Sequence, residues 1–163
     1  MTTARPSKYL ATYLNDHLAG STIGLELVRR AASEHHDTPL GAFLAQLADE
    51  IAADRQALQE LMSVVGAGVD RKKVVVAWLA EKAGRLKPNA HLLTPSPLSP
   101  LIELEALVLG IEGKRLLWRA LREVADEHGL PADRLDELAT RAARQRDDVE
   151  RERVALVGRA LAG

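Results

Sequence analysis

The sequence predicts an all-α protein in which four long helices and one short helix form a single domain over residues 1–163. Apolar residues recur every three or four positions along most of the chain, which is the helical period. Helix-starting and helix-ending residues divide the chain into long segments, and β-branched residues cluster only at 74–76. Because only 3% of the residues are aromatic and 47% are hydrophobic, we expect a core of Leu, Ala, Val and Ile.

The composition excludes several classes of function. The chain has no cysteine, which rules out disulfides, thiol chemistry and thiolate metal sites. Its net charge of −1 gives no global electrostatic reason to bind nucleic acid or a membrane. Residues 1–7 are expected to be a loose end without the apolar core of a signal peptide, so we expect a cytoplasmic location.

The first two helices are predicted to follow each other closely. The first covers 7–36, with Ser7 as its N-cap. Thr38 followed by Pro39 is a standard helix start. The backbone amide at the first helical position has no hydrogen-bond partner within the helix, so proline, which has no amide hydrogen, fits there without loss. The second helix is therefore predicted over 39–65.

A long link separates this hairpin from a second one. The link covers 66–100, carries a short third helix predicted over 71–87, and ends in a segment with three prolines. The fourth helix is predicted over 100–128 and the fifth over 131–161. Since the link is long enough to cross the full length of the molecule, we expect the first and fourth helices to run parallel.

Two tight hairpins joined by one long crossover resemble the ferritin-like superfamily, and the likeness covers nearly the whole chain. The resemblance implies an antiparallel four-helix bundle. In the di-iron members of that superfamily it also implies a Glu on the first and third bundle helices and Glu-x-x-His on the second and fourth. This sequence contains no Glu-x-x-His.

Acidic residues nevertheless occur on or beside the predicted inward faces. Glu50 and Asp54 are four residues apart on the second helix, and Asp148 and Glu152 are four apart on the fifth. Folding the two hairpins about their turns brings further candidates to the same level. The candidate metal ligands are His17, Glu50, Asp54, Glu105, Glu112, Asp148 and Glu152. Carboxylates with an imidazole suit iron, manganese or zinc.

A second interpretation of these acids needs no metal and is the one we prefer. Arg115 lies on the predicted inward stripe of the fourth helix, so it is the expected partner of Asp54 and Glu152. A buried arginine–carboxylate network satisfies the same charges. Some of the candidates are also expected to face solvent.

Four glycines interrupt the long helices: Gly20 and Gly24 in the first, and Gly110 and Gly113 in the fourth. Each costs about 1 kcal/mol relative to alanine in a helix interior. We expect them to allow close packing between these two helices, with a ligand pocket as the alternative.

The sequence lacks any phosphate-binding loop, nucleophile elbow or nucleic-acid motif. The function expected from it is non-enzymatic protein association, as a homodimer or with a protein partner, without a cofactor. The alternative is a carboxylate-rich protein that binds iron, manganese or zinc and has a redox role. The basic helix at 71–87 is expected to pack on the bundle, and binding of anionic lipid or nucleic acid is the alternative for it.

Overall fold

The computed structural model describes residues 7–70, 72 and 98–162. These residues form α1 (Lys8–Glu34), α2 (Pro39–Val64), α3 (Leu98–Glu123), α4 (Ala125–His128) and α5 (Ala132–Leu161), and no strand. The prediction of an all-helical protein is confirmed for this part of the chain. The predicted helix at 71–87, apart from Lys72, lies outside the described residues, as do most of the link and residues 1–6.

Both helices of the first hairpin begin with the predicted caps. The Ser7 hydroxyl oxygen accepts a hydrogen bond from the Leu10 amide at 3.1 Å. The Thr38 hydroxyl oxygen accepts one from the Gly41 amide, also at 3.1 Å. Gly41 has no room for a side chain, because a Cβ there would clash with the carbonyl group of His35. Local hydrogen bonding and this close approach together set the tight turn between α1 and α2.

The helix predicted over 100–128 is divided in the structure. α3 ends before Val124, and the single turn α4 follows it. The break turns the chain so that Ala125 and Leu130 are both buried, and the Leu130 amide donates to the Ala125 carbonyl oxygen at 2.9 Å. Gly129 then ends the turn with a φ of 63°, the left-handed conformation that favours glycine at a helix end.

The four long helices pack side by side as two antiparallel hairpins, α1 with α2 and α3 with α5. α1 also packs against α3, whereas α2 has few contacts with α5. Arg30, near the end of α1, lies 3.5 Å from Glu103, near the start of α3. These two helices therefore run in opposite directions.

This direction corrects the prediction that the first and fourth helices are parallel. α2 runs opposite to α1 and hence parallel to α3, so α2 ends and α3 begins at opposite ends of the molecule. When a connection joins opposite ends of a bundle, the helix before it and the helix after it run in the same direction. The parallel pair must then be α2 and α3.

The core consists mainly of leucine, with Trp118 as the largest fully buried side chain. The predicted inward faces of α2 and α5 agree well with the buried residues: Leu44, Leu47, Ile51, Asp54, Leu58 and Leu61 on α2, and Leu138, Ala142, Gln145 and Val149 on α5. On α1 the agreement is partial. Leu14 and Val28 of the predicted face are buried, whereas His17 is half-buried and Leu18 is fully buried instead. None of the helices in the described part of the chain combines the length and apolar character needed to cross a lipid bilayer.

Candidate functional site

Asp54 on α2 is the one acidic candidate that is fully buried in the structure, with 2% of its side chain exposed. Lys114 on α3 donates from Nζ to Oδ2 of Asp54 at 2.5 Å. Arg141 on α5 donates from its guanidinium to Oδ1 of the same carboxylate. Asp54 thus connects three helices. Two positive charges against one negative charge leave this trio with a net charge of +1.

Lys114 is the most unusual member of the trio, because its ammonium group lies in the interior with 15% of its side chain exposed. Burial lowers the pKa of the Lys114 amine, and the nearby carboxylate of Asp54 opposes that effect. A second hydrogen bond goes to Oε1 of Gln145 at 2.6 Å. An ammonium group has three donors, so one hydrogen of Lys114 has no partner among the described residues.

Gln145 extends the network to the surface. Its side chain is 1% exposed, and its Nε2 donates to Oε2 of Glu50 at 2.9 Å. Arg144 donates to the same oxygen at 3.2 Å. Burial by itself would raise the pKa of Glu50, but the hydrogen bond from Gln145 and the charge of Arg144 outweigh it, and the pKa is lowered. Glu50 is therefore ionised at neutral pH and its charge is matched by Arg144.

The expectation that Arg115 binds Asp54 is wrong. Arg115 donates to Oε1 of Glu112 on its own helix at 2.6 Å, and Arg146 also reaches Glu112 at 3.4 Å. Four residues of the predicted stripe of α3 are buried as expected, namely Leu101, Leu104, Ile111 and Trp118. Lys114, and not its neighbour Arg115, is the residue of α3 that reaches Asp54.

Sequence reasoning missed Lys114 and Arg141. A signal for Lys114 was present in the sequence. It lies in the series Leu107, Ile111, Lys114 and Trp118, whose spacings of four, three and four residues place all four on one face of a helix. The three apolar side chains of this series are buried. For Arg141 there was no local signal, since a long arginine can reach inward from a half-exposed position.

Three of the remaining acidic candidates lie at the surface or in partly exposed positions. Glu105 is 3.4 Å from Arg153, and Asp148 pairs with Arg151 on its own helix. Glu152 is half-buried and makes no ion pair with a described residue, so the predicted guanidinium partner is absent there.

His17 takes part in a different contact. Its ring lies edge-on to that of Tyr13, with the ring centres 4.6 Å apart. Burial lowers the pKa of His17 more than the neighbouring Asp16 raises it. The imidazole is therefore neutral at pH 7. Within the residues that the structure describes, no three His, Asp or Glu side chains lie close enough together to hold a metal ion.

A cavity of about 370 Å³ lies between α1 and α3, with Asp54 and Lys114 in its lining. All four of the glycines singled out from the sequence also line it: Gly20, Gly24, Gly110 and Gly113. A Cβ built on any of them would meet no heavy atom of the described residues within 4 Å. The expectation of close backbone packing is therefore wrong, and the glycines leave the space that the cavity occupies.

Most of the remaining cavity wall is apolar. Its aliphatic residues are Ile51, Leu58, Ala106, Leu107, Ile111 and Leu117. The polar residues of the lining are Ser21, Arg55 and Asp16, together with the Lys114–Asp54 pair and the Tyr13–His17 ring pair. Arg55 donates from Nε to the Thr22 hydroxyl at 3.4 Å. The cavity therefore combines a large apolar surface with a few polar groups, of which Lys114 has a hydrogen to donate.

No protein-family model matches the chain, and neither a curated protein nor a solved structure matches it.

Proposed function

We propose that this protein binds a small, largely apolar molecule that carries a carboxylate. The apolar part of the ligand lies between α1 and α3, and its carboxylate accepts a hydrogen bond from Lys114. The observation that carries this proposal is the glycine-lined cavity that has a buried ammonium group, with one unused hydrogen, in its wall.

The size and lining of the cavity support an apolar ligand. Its volume of about 370 Å³ falls in the range of about 300–1,000 Å³ that is usual for small-molecule sites. Such sites are mostly apolar and have a small number of polar groups that orient the ligand. Four glycines in two packed helices cost about 1 kcal/mol each relative to alanine. A ligand that occupies the space left by these glycines would explain why the helices contain them.

The hydrogen-bond donor in the cavity wall supports a carboxylate over a cation. The four charged side chains that line the cavity, Asp16, Asp54, Arg55 and Lys114, have charges that sum to zero. The preference for a carboxylate therefore depends on the hydrogen of Lys114 that has no partner among the described residues. A hydrogen bond that involves a charged group contributes about 1.5–3 kcal/mol.

The experiment compares two ligands of equal chain length, decanoate and 1-decanol, by isothermal titration calorimetry. We expect the wild-type protein to bind decanoate more tightly. Gly110→Leu places a side chain in the cavity and should abolish binding of both ligands. Lys114→Met should weaken decanoate about tenfold to a hundredfold, the equivalent of about 1.5–3 kcal/mol, and leave 1-decanol nearly unchanged.

Gly158→Leu is the matched control for the cavity variant, because Gly158 is an exposed helical glycine on α5 that does not line the cavity. It should bind both ligands like the wild type. Equal loss of decanoate in Gly158→Leu and Gly110→Leu would contradict the assignment of the cavity. Unchanged decanoate binding in Lys114→Met would contradict the role of the lysine.

The fold that we propose for this binding protein is the ferritin-like bundle. Two observations support it: each hairpin is antiparallel, and α2 and α3 run parallel on either side of a connection between opposite ends of the molecule. The proposal implies no iron chemistry, since the buried acid Asp54 is neutralised by Lys114 and Arg141.

A further inference from the structure

The outward face of α3 carries large apolar residues that the cavity does not account for. Three large residues on it, seven positions apart, are strongly exposed: Ile102 (47%), Leu109 (73%) and Leu116 (50%). Four positions after each of them comes a small residue, in the order Ala106, Gly113 and Ala120. We call these six residues the α3 stripe. A seven-residue repeat keeps a helical stripe on one face.

We infer that the α3 stripe is the contact surface for a second copy of this chain. A two-fold interface requires a surface that complements itself. If a residue of the first copy contacts a different residue of the second copy, the same two positions also meet with the copies exchanged. When two α3 helices are placed antiparallel with the two-fold axis near position 111, Leu109 of each copy lies opposite Gly113 of the other. In the same register Ile102 lies opposite Ala120, and Leu116 opposite Ala106. Every large side chain then faces a small one, as packing of one helix surface into another requires.

The charges beside the α3 stripe agree with the same register. A two-fold axis perpendicular to both helices brings the same flank of each copy together. On the flank that carries Glu105, the residue of the second copy at nearly the same level is Arg119. Arg119 is exposed and makes no ion pair with a described residue. Two symmetric Glu105–Arg119 pairs would therefore border the apolar contact, in addition to the 3.4 Å ion pair that Glu105 makes with Arg153 of its own copy. Charges at the rim of a contact favour the correct partner and orientation.

Self-complementarity is what favours a second copy over an unrelated helix. A foreign helix would need the same large and small pattern, whereas a second α3 provides it by symmetry. The three large residues of the α3 stripe do not line the cavity, but Ala106 and Gly113 do, so a second copy would lie along the edge of the cavity. The two proposals are still tested separately. The dimer is measured by sedimentation without ligand, and the ligand site is tested by Lys114→Met, which lies outside the α3 stripe.

The first test is the oligomeric state measured by sedimentation velocity over a range of protein concentrations. We expect the wild type to be a dimer and Leu109→Glu to raise the dimer dissociation constant at least tenfold. Val154→Glu is the matched control, because Val154 is a similarly exposed aliphatic residue on α5, outside the α3 stripe. It should remain dimeric. A wild-type protein that is monomeric up to about 0.1 mM, well above a micromolar dissociation constant, would overturn the inference.

The second test examines the register and uses the absence of cysteine from the chain. Leu109→Cys and Gly113→Cys variants that carry tags of different size are mixed and oxidised. Val154→Cys is the control. The antiparallel register predicts that the disulfide between Leu109→Cys and Gly113→Cys forms in higher yield than the disulfide between two identical variants. It should also form in higher yield than any disulfide that includes Val154→Cys. Equal yields of all pairs, or a dominant product with Val154→Cys, would refute the α3 stripe as the contact.

Discussion

The two sides of α3 differ in how they meet their neighbours. Towards α5, α3 is closely packed, and ion pairs such as Arg122–Asp136 and Arg146–Glu112 connect the two helices. Towards α1, α3 has glycines and a cavity. One helix therefore forms a stable hairpin on one side and leaves space on the other. The comparison indicates that α3 with α5 provides the rigid support, and that the α1 side is available for binding.

The buried trio of Asp54, Lys114 and Arg141 lies where these two sides meet. Its position connects α2 and α5 to the wall of the cavity, so it stabilises the fold and also holds the lysine that we propose as the donor to the ligand. The predictions below separate these two contributions, beginning with the largest effect.

Asp54→Ala should be the most destabilising of the changes considered, by about 3–5 kcal/mol. It leaves Lys114 and Arg141 buried against each other without a counter-charge, and removal of one partner of a buried pair has this cost. The free energy of unfolding in urea measures it. Asp148→Ala removes an acid paired with the exposed Arg151 and should cost less than about 1 kcal/mol. Equal losses in the two variants would show that the trio contributes no more than a surface pair.

Gly41→Ala tests a glycine that is required by close approach. A Cβ at this position clashes with the backbone of His35, so the turn between α1 and α2 must shift. We expect a loss of about 1–3 kcal/mol, the usual cost of forcing extra volume into a packed site. A melting temperature equal to that of the wild type would mean that the turn adjusts freely.

Gly110→Ala tests a glycine of the opposite kind, on the cavity side of α3. A Cβ there meets no described atom, and alanine is the better helix former. We expect a gain in the free energy of unfolding of about 0.4–1 kcal/mol. A loss of stability comparable to that of Gly41→Ala would contradict the description of this side as open.

The pH dependence of stability should contain a small contribution from Lys114. Burial lowers the pKa of the Lys114 amine in the folded state below its ordinary value of 10.5. Between the folded-state pKa and that value, the unfolded chain binds more protons than the folded one, so the free energy of unfolding rises with pH. The gain in the free energy of unfolding is complete above the pKa of Lys114 in the unfolded chain. It is lost as the pH falls through the pKa of Lys114 in the folded protein. Subtracting the urea-unfolding curve of Lys114→Met should reveal it as a difference that grows as the pH approaches 10.5. A difference that falls over the same range would mean that Asp54 outweighs burial.

The features that depend on neighbours in sequence were predictable. Ser7, Thr38 with Pro39, and Gly129 mark helix ends because their effects act on backbone groups within a few residues. The inward faces of α2 and α5 were also predicted well, since apolar residues are dense on them and leave little freedom in helix rotation. Asp54 was singled out for the same reason: it interrupts an otherwise apolar stripe.

The features that depend on contacts between helices were decided by the tertiary structure. On α3, Lys114 and not its neighbour Arg115 lies at the buried acid, and the apolar stripe alone allowed either residue. The role of the glycines was open for the same reason, because a residue without a side chain fits both a close contact and a cavity. The distance between α1 and α3 distinguishes these two cases, and that distance follows from how all four long helices fill the core together.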